Sequence, residues 1–240
     1  MMLDKLVATE KIDDHHIERF LAWVGDHFPA PLFEFTLRRL DRYAEIEAGN
    51  EKKANYDPIP NTRFGNAFRP LQNSPHYRSF LDQVTARFAT QRDQAYWLRG
   101  FFWSIGSIDA TALGVIDELV HRGDKDSVRD ALQLIGGASP ELSLSRPYFA
   151  AHIVEESGRV DSQLASSAES TFISNAFSGS FNRAPGQPSP KFASMKERCE
   201  TLREVFPKGS AGHRLFDRLH AVAVETLNRE RLDDEQFGFE

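Results

Sequence analysis

The chain has 240 residues, 40% hydrophobic and 27% charged. That balance excludes wholesale disorder and leaves room for one or two domains with a buried core. The formal net charge is −6, split as 14 Lys and Arg against 17 Asp and Glu in residues 1–120 and 15 against 18 in residues 121–240. Neither half carries a charge block that would address nucleic acid or a membrane surface. A lone cysteine, Cys199, rules out an internal disulfide and a zinc site built on cysteine pairs. The first residues show no uninterrupted apolar stretch of the signal-peptide kind, and no apolar run approaches a membrane span, so a cytoplasmic protein is expected.

The dominant apolar period is helical. Ile17, Phe20, Leu21, Val24 and Phe28 recur at three and four behind Asp13 or Asp14, either of which is placed to cap. Pro29 and Pro31 interrupt. Phe33, Leu37, Leu40 and Ile46 mark a second helix that Gly49-Asn50 stops. Ser74-Pro75 reads as an N-cap with proline at the first helical position, ahead of Tyr77, Phe80, Leu81, Val84 and Phe88. Further helices fit about 92–105, 108–122, 126–136, 146–157 and 161–173. Ser189-Pro190 repeats the cap-and-proline device before Phe192, Met195, Cys199 and Leu202. A last helix fits about Ala211 to Arg229. No segment sustains the alternation of a strand, so the class is all-α, as stacked antiparallel helix pairs.

The expected organisation is an N-terminal helical pair over 1–49, a long connection over 50–73 and a helical array over 74–173. A Ser-, Gly- and Pro-rich linker follows over 174–190, then a C-terminal pair over 191–231 and an acidic tail over 232–240.

Residues 121–137 read HRGDKDSVRDALQLIGG. Gly123 ends one helix, Asp124 or Asp126 caps the next, and Val128, Ala131, Leu132 and Ile135 point inward. Helix pairs of about forty residues with short turns are the sequence form of an α-solenoid. The segment resembles the HEAT-repeat family through Asp124, Val128, Arg129, Ala131, Leu132 and Gly136. The resemblance implies an Asp and Arg ladder between neighbouring units, a role falling on Asp124 or Asp126 and on Arg129, with Val128 and Leu132 buried at the same repeat junction. Asp14-His15-His16 and the Tyr56-Asp57-Pro58-Ile59-Pro60 stretch are similar to helical arrays at the ends of large bacterial nucleotide-dependent defence proteins. That likeness implies a regulatory or sensing part of a larger complex.

The commonest catalytic signatures do not occur: no phosphate-binding glycine loop ending in Lys-Ser/Thr, no Gly-x-Ser-x-Gly elbow, no His-Glu-x-x-His. His15 and His16 are adjacent, about 100° apart on a helix, and do not converge on one ion. Cys199 lies in phase with the buried stripe and reads as an inert core thiol. No catalytic residue, metal ligand or cofactor is expected.

Residues 60–106 depart from the average. They hold six arginines (63, 69, 78, 87, 92, 99) and no lysine, against Asp82 and Asp93, interleaved with ten aromatic residues. Arginine among aromatics is the composition of interface hot spots, and also of a packed layer whose arginines reach out to water. On the helix at about 92–105, Ala95, Leu98, Phe102 and Ile105 form one stripe. Arg92, Tyr96, Arg99 and Trp103 form a second, with Arg92–Tyr96 and Arg99–Trp103 each four apart. The expected function is a non-enzymatic scaffold that binds a protein partner through this second stripe, helped by Arg63 and Arg69. The alternative is a nucleic-acid enzyme. HEAT-like glycosylases for alkylated DNA bases use Trp, Asp and Arg in a basic groove, and Trp97, Trp103, Asp109 and Arg99 bear that resemblance. The acidic net charge disfavours it, because phosphate binding draws on clustered Lys and Arg.

Overall fold

The computed structural model describes residues 2–49, 56–59, 65–179, 183–184 and 186–237. Among them the fold is all helical, with no strand, and no helix is long and apolar enough to cross a membrane. The chain forms two compact units, residues 1–115 and 116–240.

The first unit begins with a short helix that the periodicity does not show, α1 (Met2–Ala8), whose Leu3 and Leu6 are buried. In α2 (His15–His27) Asp14 is the N-cap, accepting from the His16 N–H at 2.7 Å. Pro29 opens α3 (Pro29–Ala48) at the position where its missing N–H costs nothing, and Gly49 ends it. The connection expected over 50–73 is partly helical: α4 (Gly65–Phe68) runs into a 3-10 turn over Arg69–Asn73. Burial of Ala67, Phe68 and Leu71 holds this stretch. Helix α5 (Tyr77–Thr90) starts two residues later than the Ser74-Pro75 signal indicates, because the Ser74 hydroxyl accepts from the His76 N–H at 3.1 Å and makes a turn there. A second 3-10 turn over Arg92–Gln94 leads into α6 (Ala95–Ile105).

Aromatic rings knit these helices together. Phe33 stacks on Phe80 at 4.4 Å and on Phe101 at 5.6 Å, and Phe68 meets Phe101 edge-on at 5.2 Å. Full burial of each such side chain is worth about 1.5–3 kcal/mol. Helix α2 crosses α4 at backbone distance, since a Cβ on Gly25 would lie 2.6 Å from the Ala67 carbonyl oxygen.

Helix α7 (Ala110–His121) spans the boundary between the units. The second unit continues with α8 (Lys125–Ile135), the single turn α9 (Leu142–Ser145), α10 (Pro147–Val160), α11 (Ser162–Ala176), α12 (Pro190–Val205) and α13 (Ala211–Phe237). Gly123 turns the chain between α7 and α8 with φ +74°, a conformation that favours glycine. Helix α8 packs on α11, α10 packs on α11 and α13, and α12 lies along α13. At the end of α11 the Asn175 amide donates to the Ala138 carbonyl at 2.7 Å and fastens the turn that follows α8. Helix α13 runs through 232–237, where charge alone indicates a tail. Asp234 pairs with Arg183, and the i,i+4 pairs Arg229–Glu225 and Arg231–Glu235 extend the helix.

One charge lies wholly inside the first unit. Arg39, fully buried on α3, donates to the carbonyl oxygens of Leu6, Thr9 at 2.9 Å, Asp57 at 2.7 Å and Pro58 at 3.1 Å, with a longer contact to Glu10 at 3.5 Å. Its guanidinium lies over the Tyr56 ring at 4.4 Å, and the Tyr56 hydroxyl donates to the Val7 carbonyl at 2.6 Å. Replacing Arg39 with Met removes the donor from the Pro58 carbonyl inside the unit and from the part-buried Thr9 and Asp57 carbonyls, and leaves the Leu6 carbonyl only the Thr9 N–H at 3.3 Å. Urea denaturation is expected to show a loss of about 3–5 kcal/mol, whereas Arg38→Met, at a half-exposed ion pair with Asp4, costs about 0–1 kcal/mol. Equal losses at the two positions would contradict the role given to Arg39.

Candidate functional site

Helix α6 keeps three of the four core positions its sequence indicates, Leu98, Phe102 and Ile105; Ala95 is half-buried instead, and Phe101 is buried outside the expected stripe. Leu98, Phe101, Phe102 and Ile105 are all fully buried. On the other side Tyr96 is 58% exposed, Arg92 is exposed, and Arg99 and Trp103 are half-buried. The Arg99 guanidinium lies 5.9 Å over the Tyr96 ring, and that of Arg92 lies 6.0 Å over Phe88 on α5. Helical side chains lean toward the N-terminus, which suits an arginine lying over the ring behind it. Trp103 meets Phe102 edge-on at 5.2 Å. A Cβ on Gly100 would meet nothing within 4 Å, so the arc beside the stripe is open. Arg69 is exposed on the 3-10 turn Arg69–Asn73, and Arg63 lies outside the described residues.

Trp97 packs edge-on against Tyr43 at 5.8 Å and Tyr96 at 5.1 Å. Both carboxylate oxygens of Asp109 are engaged in folding. Oδ1 accepts from the Ala112 N–H at 2.9 Å at the start of α7, and Oδ2 accepts from the Tyr77 hydroxyl at 2.8 Å. Burial first, then the Asp109 hydrogen bond, push the Tyr77 phenol well above its ordinary pKa.

At the junction over 124–136, Asp124 is the cap of α8, accepting from the Asp126 and Ser127 N–H groups at 3.1 and 2.8 Å. Hydrogen bonds from Ser127 hold its carboxyl below the usual range. Val128 and Leu132 are buried. Arg129 pairs at 2.9 Å with Asp126 on its own helix, both side chains in water. The ion pair from α8 to α11 is made instead by Lys125 with Asp161, the cap residue of α11.

Two groupings arise that the sequence reading does not single out. In the first unit Trp23 and Phe28 are each about half exposed, and the His27 ring stacks on Trp23 at 4.8 Å. In the second, Asp117 and His121 on α7 meet His152 on α10. His152 Nε2 lies 3.0 Å and His121 Nδ1 3.4 Å from Asp117 Oδ1. One ligand atom from each residue falls within 4.8 Å of the others, so these three side chains can hold a divalent cation. The signal was two i,i+4 pairs, Asp117/His121 and His152/Glu156. Each alone offers two ligands, and only the approach of His152 on α10 to Asp117 and His121 on α7 joins them. Cys199 is buried, and burial pushes its thiol pKa up to about 12, which leaves it unreactive at neutral pH.

No protein-family model matches the chain, and neither a curated protein nor a solved structure matches it.

Leu132→Ala is expected to cost about 2–5 kcal/mol in chemical denaturation, as a core truncation. Arg129→Ala should cost no more than about 1 kcal/mol, the range of an exposed pair within one helix. A large effect at Arg129 would restore a bracing role. The Asp117 backbone carbonyl, accepting from Nδ1 at 2.9 Å, and then the Asp117 carboxylate raise His121 above the ordinary imidazole value. The stabilisation from this pair is fully present below the unfolded pKa of about 6.5 and is lost as pH rises through the higher folded value. In metal-free protein, NMR titration should place His121 above its unfolded pKa, and Asp117→Asn should lower it. No change in the variant would contradict the pairing.

Proposed function

We propose that this chain is a non-enzymatic helical-repeat scaffold, HEAT-like over its stacked pairs, that recognises a protein partner through the outward face of α6. The observation that carries the reading is Tyr96, exposed with Arg99 laid over it on a helix whose opposite side is fully buried. A rigid aromatic ring under a guanidinium offers large contact area at little further entropy cost, as interface hot spots do. The open arc at Gly100 leaves space for a partner's backbone to approach. The stacking of α10 on α11 and of α8 on α11 supports the repeat reading, because stacked helix pairs present extended surfaces. No cofactor enters this reading. A net charge of −6 argues for protein over nucleic acid. A single thiol buried without a disulfide partner suits the reducing cytoplasm, where we place it. A regulatory part of a larger assembly is the form such a scaffold would take.

The test is the double variant Tyr96→Ala/Arg99→Ala beside the unaltered chain, in affinity capture with and without nuclease and in thermal unfolding. A protein retained by the unaltered chain and lost by the variant at an unchanged melting temperature is the expected result. A lower melting temperature with capture intact would make the stripe a packing feature and end the interface reading. Nuclease-sensitive capture would move the function to nucleic acid.

A further inference from the structure

The grouping on α7 and α10 is more than a surface ion pair in three respects. The first is spacing. Around a tetrahedral ion with bonds of about 2.0–2.1 Å, neighbouring ligand atoms lie about 3.3 Å apart. The Asp117 Oδ1 to His152 Nε2 separation of 3.0 Å is close to that edge, and all three ligand atoms lie within 4.8 Å of one another. The His121 side chain is half exposed, so small χ rotations can shorten the longer edges.

The second is the state of Asp117 Oδ1. It is shut off from water and accepts no aligned hydrogen bond, although imidazole nitrogens stand 3.0 and 3.4 Å away. A buried oxygen that close to two donors ordinarily takes an aligned hydrogen bond. His152 Nε2 stands nearest to this oxygen without an aligned bond to it, and the oxygen is left to accept from another group.

The third is the set of groups behind the rings. A metal-bound histidine usually donates its other N–H to a carbonyl or carboxylate, which settles the tautomer and the ring orientation. His121 Nδ1 lies 2.9 Å from the Asp117 carbonyl oxygen, so the tautomer with hydrogen on Nδ1 leaves the lone pair on Nε2. His152 Nδ1 faces Glu156 Oε1 at 3.9 Å while its Nε2 faces Asp117. Glu156 is largely buried and is held in turn by Arg159, which offsets its charge.

We propose that Asp117, His121 and His152 bind a zinc ion between α7 and α10, with Glu156 and the Asp117 carbonyl orienting the two imidazoles. Two imidazoles and one carboxylate suit a borderline first-row ion, whereas calcium and magnesium require an oxygen shell. Three protein ligands leave a fourth position for water. The ion ties the end of one helix pair to the next, and therefore stabilises the second unit. This inference lies apart from the α6 face, so its failure leaves the recognition reading as it stands.

The experiment is calorimetric titration of the full chain with zinc chloride in a non-chelating buffer, with thermal unfolding in parallel. The unaltered chain is expected to take up one ion saturably, and its melting temperature to rise with zinc concentration. His121→Ala and His152→Ala should each weaken binding by more than about tenfold and remove the zinc-dependent rise, while Glu156→Gln weakens it within the roughly 10–100-fold range of orienting groups. If His152→Ala fails to fold, the half-exposed His121 still gives the answer, because its removal leaves no cavity in the core. His15→Ala/His16→Ala, at the exposed pair on α2, should change nothing. No saturable uptake, unchanged affinity in both ligand variants, or loss of binding in the α2 variant would overturn the assignment.

Discussion

The first unit is organised around a buried cation whose hydrogen bonds, among the described residues, all go to peptide carbonyls. Arg39 sits in the middle of α3, between Thr36 and Leu40, both buried, and its charge is met by peptide carbonyls. Burial pulls its pKa below the usual arginine value, yet a guanidinium in a protein stays protonated, so the five donors must be satisfied where they are. The carbonyls come from two stretches at or beyond a helix end: the end of α1 with the residues just after it, and residues 57–58. Tyr56 closes the arrangement by covering the guanidinium and bonding back to Val7. A single side chain thus holds α1, α3 and the 56–59 segment together. Hydrogen bonds from a charged donor are worth about 1.5–3 kcal/mol each, against about 1 for neutral ones. Losing the group removes this donor from every acceptor at once, and among the described residues only the Leu6 carbonyl keeps another, the Thr9 N–H at 3.3 Å.

The second unit solves the same problem with the opposite sign. Glu230 on α13 is buried, and its Oε2 accepts from the Ser189 N–H at 2.9 Å, one of the donors ahead of α12 that no helical bond can satisfy. Arg183 reaches Asp234 and the Glu230 carbonyl from the irregular segment before α12. Glu169 on α11 is bracketed by Arg214 and Arg218 of α13. In both units a buried charge fastens irregular backbone to a regular helix, where apolar contact alone would leave peptide groups unpaired.

The helices were legible because their signals are local. Asp14 and Asp124 cap where a short acceptor precedes an apolar period, Pro190 stands at a first helical position, and Leu98, Phe102 and Ile105 of the α6 core follow from a 100° step. What was not legible is carried by distance in the chain. Arg39 looks like any arginine on an amphipathic helix until carbonyls about 18–33 positions away are folded onto it. Asp117 and His152 belong to separate i,i+4 pairs until α7 meets α10. On α6 the backward lean of helical side chains suits Arg99 over Tyr96, three positions behind it, a contact that i,i+4 spacing does not pick out.

These placements also bear on how much of the arginine-rich segment remains to attract an anion. Of the six arginines in 60–106, Arg78 is neutralised by Asp82, and Arg87 by Asp41 on α3, with Gln94 also accepting from it. Arg92 and Arg99 lie over rings, where the cation is partly engaged by the aromatic face. A positive excess counted along the sequence therefore overstates the field available to a phosphate backbone, whose binding scales with the number of charges it neutralises. The same stacking favours the other partner class. A guanidinium already lying on a ring has little rotamer freedom left to lose, and the pair presents a flat, amphipathic surface of the kind protein interfaces bury.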